Sequence, residues 1–155
     1  GQSPSAPEAA DPARLGEALS RWLAGLSGGD YAALLAYLPA SAAHDAGLTA
    51  LRSALRDALG VATTAAYGPR YLHSTGQLHK GGPPSGAFLA LEAAGGPELK
   101  VPGRNYTFGT LELAQELGDL VALERRGRPV LRIRIGAGGL SGILEAVQAA
   151  LSARR

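Results

Sequence analysis

The chain has 155 residues, enough for one domain with a real hydrophobic core, and its 46% hydrophobic and 18% charged content is that of a globular protein. Without cysteine it can form neither disulfides nor thiolate metal sites, which fits a reducing cytoplasm. The net charge is only +2, no basic run is interleaved with aromatics, and no apolar run approaches the ~20 residues of a membrane helix, so neither nucleic acid nor a bilayer is an expected partner.

Residues 1–10 read as a flexible linker or tag remnant, and with no Met anywhere the chain is expected to be an internal fragment of a larger protein. Residues 11–155 are expected to form a single α/β domain. Asp11-Pro12 supplies an N-cap and a proline for the first helical turn. Leu15, Leu19, Trp22, Leu23 and Leu26 follow at helical spacing as far as Gly28-Gly29. Asp30 is placed to cap a second, short helix through Leu38, ended by Pro39. A third helix is expected over 48–59, with Leu48, Leu51, Leu55 and Leu59 on one stripe and Gly60 as its stop.

The pattern then changes. Residues 61–67 are small and β-branched, as in a strand, and 87–91 form an apolar run suited to an interior strand. Residues 92–104, rich in Gly and Pro, read as a long loop with a short extended piece near 99–101. The spacing predicts a helix over 110–126 with Leu113, Leu117, Leu120 and Val121 inward. It is followed by a cleanly alternating strand, with Leu131, Ile133 and Ile135 on one face and Arg132 and Arg134 on the other, a solvated or interdomain one. A last helix carries Leu140, Ile143, Leu144, Val147 and Leu151. The expected fold is therefore α/β: a small, largely parallel sheet of three to four strands flanked by helices, preceded by an N-terminal helical segment.

Residues 67–83 differ in composition from everything else. His73 and His79, two of three histidines, and Lys80, one of two lysines among fifteen basic residues, lie there with Ser74, Thr75 and Gln77. Ser74-Thr75-Gly76-Gln77 has capping-box spacing, so Ser74 and Gln77 can be ordinary helix-start residues. The same helix start can also cradle a phosphate or carboxylate, with Thr75 adding a hydroxyl. His73 is either a satisfied core histidine or a group that gives and takes protons at neutral pH. His79 and Lys80 are either surface residues or ligand contacts, a compact ammonium suiting a sugar oxygen or phosphate. A six-residue gap between His73 and His79, with no carboxylate in the segment, argues against a metal. No Gly-x-Ser-x-Gly elbow surrounds Ser74, and no Gly-Lys-Ser/Thr phosphate loop is present. Arg104, Asn105 and Tyr106 either precede a helix cap or form a second wall of a site.

Three stretches resemble one family. They are Gly68-Pro69-Arg70-Tyr71-Leu72-His73-Ser74-Thr75-Gly76-Gln77-Leu78-His79-Lys80-Gly81-Gly82-Pro83, then Pro102-Gly103-Arg104-Asn105-Tyr106-Thr107-Phe108-Gly109, then Ala114-Gln115-Glu116-Leu117-Gly118-Asp119. Together with Gly29-Asp30-Tyr31 and Tyr37-Leu38-Pro39 they resemble the C-terminal part of bacterial glucose-6-phosphate isomerases, notably the isomerase half of transaldolase–phosphoglucose isomerase fusions.

The resemblance covers roughly residues 20–136. It implies an aldose–ketose isomerase interconverting glucose 6-phosphate and fructose 6-phosphate in glycolysis and gluconeogenesis, with no cofactor and no metal. The family's catalytic residues do not carry over onto the polar segment. From the residues themselves, His73 and Lys80 are expected to be ring-facing catalytic groups and Ser74, Thr75, Gln77, His79 and Arg104 substrate contacts, with the proton-transferring carboxylate on chain outside this sequence. The implied partners are a hexose phosphate and the remaining isomerase, or transaldolase, domains of a parent chain, with the isolated fragment inactive. The Phe-Asp-Gln-x-Gly-Val-Glu stretch of the best-known isomerases is absent. The alternatives are a non-catalytic sugar-phosphate-binding module and an interdomain docking module.

Overall fold

A computed structural model describes residues 11–93, 98–136 and 138–154; the stretch 1–10, read above as a linker, lies outside them. Four strands form one all-parallel sheet: β1 (Tyr31–Tyr37), β2 (Ala62–Tyr67), β3 (Gly86–Ala93) and β4 (Val130–Ile135), in the order β2-β1-β3-β4. The helices are α1 (Pro12–Ala24), α2 (Ala42–Leu59), α3 (Thr75–Gly81), α4 (Phe108–Glu124) and α5 (Gly139–Ser152), with a 3₁₀ turn at Arg70–His73 ahead of α3. The expected α/β sheet with its leading helix is present.

Because side chains alternate along a strand, each strand serves two layers. Ala32, Leu34 and Ala36 of β1, Leu89 and Leu91 of β3 and Ile133 of β4 share one apolar core with α1, α2 and α5. Ala33, Leu35, Phe88 and Ala90 face the opposite way, toward Tyr71 of the 3₁₀ turn and Leu120 and Leu123 of α4. The chain leaves β1 through α2 on the first face and leaves β3 through α4 on the second. The strand order therefore reverses between β1 and β3, and their carboxyl ends flank the place where such sheets open a crevice.

The helix expected over 30–38 is a strand. Tyr-Ala-Ala-Leu-Leu-Ala-Tyr is buried on both faces at the centre of the sheet, so it shows no alternation, and the tertiary setting overrides the helix preference of Ala and Leu. Asp30 closes the preceding turn instead, its carboxylate accepting from the backbone N–H and hydroxyl of Ser27. The helix expected from residue 48 starts at Ala42, capped by Ser41 Oγ, which accepts from the N–H of His44 at 3.1 Å. The extended piece near residue 100 amounts to one antiparallel bridge, Lys100 with Thr107.

The main departure concerns α4. Its buried side chains are Glu116, Asp119, Leu120 and Leu123, whereas Leu113, Leu117 and Val121 are 47%, 39% and 36% exposed. The expected inward stripe was mostly the wrong one. Two acids point at the sheet and three hydrocarbons point away from it.

Two close approaches shape the sheet around its tyrosines. Tyr31 pairs with Gly86 on β3, and a Cβ there would overlap the Tyr31 hydroxyl and the Phe88 ring. Gly68, just past β2, lies so near Tyr37 that a Cβ would overlap its ring. Among the described residues no helix is long and apolar enough to cross a membrane.

Candidate functional site

The second face of the sheet carries a layer of polar groups at the carboxyl ends of the strands. Register alone brings several together. Tyr37 pairs with Glu92 and Glu92 with Arg134, while one step back Leu35 pairs with Ala90 and Ala90 with Arg132. Tyr37, Glu92, Arg132 and Arg134 thus project from the same face of three neighbouring strands. Glu116 and Asp119, three apart on α4, lie one helical turn from each other and descend onto that row.

One half of the layer is built around Asp119, whose side chain is 2% exposed. Its Oδ1 accepts from the Lys80 ammonium at 2.7 Å and its Oδ2 from the Tyr71 hydroxyl at 2.5 Å. The Tyr71 hydroxyl also meets that of Tyr37 at 2.8 Å. Since Tyr71 uses its proton on Asp119, Tyr37 is the donor in that second bond. Burial raises the pKa of both phenols, and the nearby Asp119 carboxylate raises them further, so both remain neutral hydrogen-bond donors.

The other half pairs acids with arginines. Arg132 Nη2 donates to Glu92 Oε2 at 2.7 Å and its Nε lies 3.7 Å from Glu116 Oε1; Arg134 Nε lies 3.3 Å from Glu92 Oε1. Of this strand face, read above as solvated or interdomain, Arg134 stays exposed, whereas Arg132 is drawn in between Glu92 and Glu116. Burial, and then the Glu92 carboxylate, push the Glu116 carboxyl up to about 7, with the two arginines opposing. Below about pH 7 Glu116 therefore keeps its proton, because a buried carboxyl beside another carboxylate resists ionisation.

At the opposite, amino end of the strands the same layer contains His79. It is 3% exposed and packs against Tyr31, Tyr71 and Phe88, its Nδ1 2.9 Å from the Tyr31 hydroxyl. Burial lowers its pKa, with Asp119 partly compensating, so the neutral ring is favoured. Beside it Arg128 donates from Nη2 to the Gly82 carbonyl at 2.6 Å.

The residues singled out in the polar segment separate into two groups. Lys80 and His79 are drawn into the protein, Lys80 with 21% of its side chain exposed. His73, Ser74, Thr75 and Gln77 are exposed around the start of α3. The capping box does not form: Ser74 occupies the N-cap, but its hydroxyl turns back to the Tyr71 carbonyl at 3.3 Å and makes no cap bond. Arg104 is exposed in the turn before α4, its backbone N–H bonded to Val101. Among the described residues its side chain makes no hydrogen bond or ion pair with the polar segment. Tyr37, Tyr71, Glu92, Glu116 and Asp119 were not singled out as site residues. The available signal was the acid pair Glu116 and Asp119 set among leucines.

No protein-family model and no curated protein matches this sequence. Among solved structures the fold is similar to a hypothetical protein, TT0462, from Thermus thermophilus, with a TM-score of 0.67 and 16% identity, over 91% of this chain and 38% of that one. The likeness is one of fold, and the chain spans less than two-fifths of the length of that protein.

Proposed function

We propose that this chain is the C-terminal α/β domain of a cytoplasmic glucose-6-phosphate isomerase, of the type also fused to transaldolase, and that it contributes one wall of a sugar-phosphate site. The observation that carries the reading is how the polar segment is held. Tyr71 and Lys80 tie it down on Asp119, while His73, Ser74, Thr75 and Gln77 between them stay exposed. Anchored ends with exposed hydrogen-bonding side chains are what recognition of a hydroxyl-rich, anionic ligand requires.

In this reading His73 exchanges the proton that opens and closes the sugar ring, and the Lys80 ammonium holds a sugar or phosphate oxygen. Ser74, Thr75 and Gln77 donate hydrogen bonds to the substrate, and Arg104 stands on a second wall. His79 supports the segment from below through Tyr31. Isomerisation then moves a proton between the two adjacent carbons through an enediol, with the carboxylate base supplied by other parts of the parent enzyme. The exposed Leu113, Leu117 and Val121 of α4 favour a second, compatible role as an interdomain docking module.

The test is turnover of fructose 6-phosphate by the full-length enzyme carrying His73→Ala or Lys80→Ala. Loss of a proton-transferring group typically costs on the order of 10²-fold or more, and His73→Ala is expected to lose that without a change in melting temperature. Wild-type turnover in both variants would retire the proposal.

A further inference from the structure

We propose that Asp119 is the positioning residue for Lys80, holding the ammonium in one place so that its remaining donors are presented to the substrate. The inference rests on the reading of Lys80 as a substrate-facing group. It adds a residue that lies 39 positions away in the sequence and on a different helix.

The geometry favours positioning over incidental pairing. The Asp119 carboxylate is enclosed, and neither oxygen is free to rotate away from its partner: Tyr71 occupies Oδ2 and Lys80 occupies Oδ1. Tyr71 is fixed in turn by the Tyr37 hydroxyl at the end of the central strand β1. Three separate elements, β1, the 3₁₀ turn and α4, thereby set where the carboxylate stands, and α3 delivers Lys80 to it. An ammonium has three N–H donors. One is committed to Asp119, and the partial exposure of Lys80 leaves room for a ligand oxygen to meet another. A lysine alone on a surface samples many rotamers, whereas this one is confined before substrate arrives, the condition under which binding energy reaches the transition state.

A purely structural tie between α3 and α4 would place the same groups together, so the experiment reads coupling on turnover. In the full-length enzyme Asp119→Asn is expected to lower kcat/KM for fructose 6-phosphate by about tenfold or more in the wild-type background. In a Lys80→Ala background the same change is expected to cost less than about twofold, because Asp119 acts through the missing lysine. Assays are run well below the melting temperature of each variant. Tyr71→Phe, which frees Oδ2 but keeps the ion pair, should show the same pattern at smaller amplitude and serves if Asp119→Asn does not fold. Equal losses in both backgrounds, or no loss from either variant, would overturn the assignment of Asp119 while leaving a Lys80 effect intact. If Lys80→Ala alone retains full turnover, the reading of Lys80 falls first, and this inference with it.

Discussion

The two faces of the sheet draw on the same four strands and solve different problems. Under α1, α2 and α5 every strand contributes hydrocarbon, and Leu19, Leu23, Leu34, Leu51, Leu55, Leu89, Leu91 and Ile133 are wholly enclosed. Under α3 and α4 the inner part is apolar, with Phe88, Leu35 and Leu123. The carboxyl-end part holds Tyr37, Tyr71, Lys80, Glu92, Glu116, Asp119 and Arg132. Hydrocarbon packing is tolerant of exchange and strongly stabilising. A buried ionic layer contributes little net stability, because desolvation offsets its attractions, but it permits few arrangements. The first face holds the domain together; the second places side chains.

Three measurements break or sharpen this contrast. The largest effect belongs to the apolar face: Leu51→Ala or Leu89→Ala should lower stability by about 2–5 kcal/mol in urea unfolding, as for other enclosed leucines. A loss below about 1 kcal/mol at both sites would show that this face is not the main source of stability.

The next effect concerns pH. Glu116 is raised to about 7 in the fold from an ordinary 4.5, so the folded state keeps a proton that the unfolded chain releases between those values. Its contribution is therefore fully present below pH 4.5 and is lost as the pH rises through about 7. Wild-type stability should fall across that window by about 3 kcal/mol from this group. Glu116→Gln, which mimics the protonated acid, should flatten the curve and be at least as stable as wild type at about pH 8. A parallel curve for the variant would rule out a proton retained on Glu116.

The smallest effect is expected on the outward side of α4. Leu113→Ser and Leu117→Ser should each lower stability by no more than about 1 kcal/mol, since these leucines are only half covered in the domain itself. A loss of several kcal/mol would place them in the core after all.

The sequence was most readable where one face of an element is apolar and the other is not. Val130–Ile135 alternates, and Ile133 joins the first core while Arg132 goes to the polar layer. The stripes of α1 and α5 fall inward as their spacing implies. Central strand β1 was illegible because burial on both faces erases alternation, and its Ala and Leu favour helix locally. In α4 leucines occur nearly all round, and the usual preference for acids at the surface selected the wrong side. The polar segment stood out by composition, but its anchor did not. Asp119 is 39 residues from Lys80 and 48 from Tyr71, and nothing local in either stretch announces such a pairing.

The glycines beside Tyr31 and Tyr37 carry a consequence for how this sequence can drift. Each phenol lies over a neighbouring backbone that has no side chain, and each occupies the volume a methyl group would need. Tyr31 carries His79, and Tyr37 carries Tyr71 and through it Asp119. Even alanine at either glycine would thus be felt not as a local defect but as a displaced hydroxyl, passed on to the groups that lean on it. The tolerance of these positions is set by the rings they shelter.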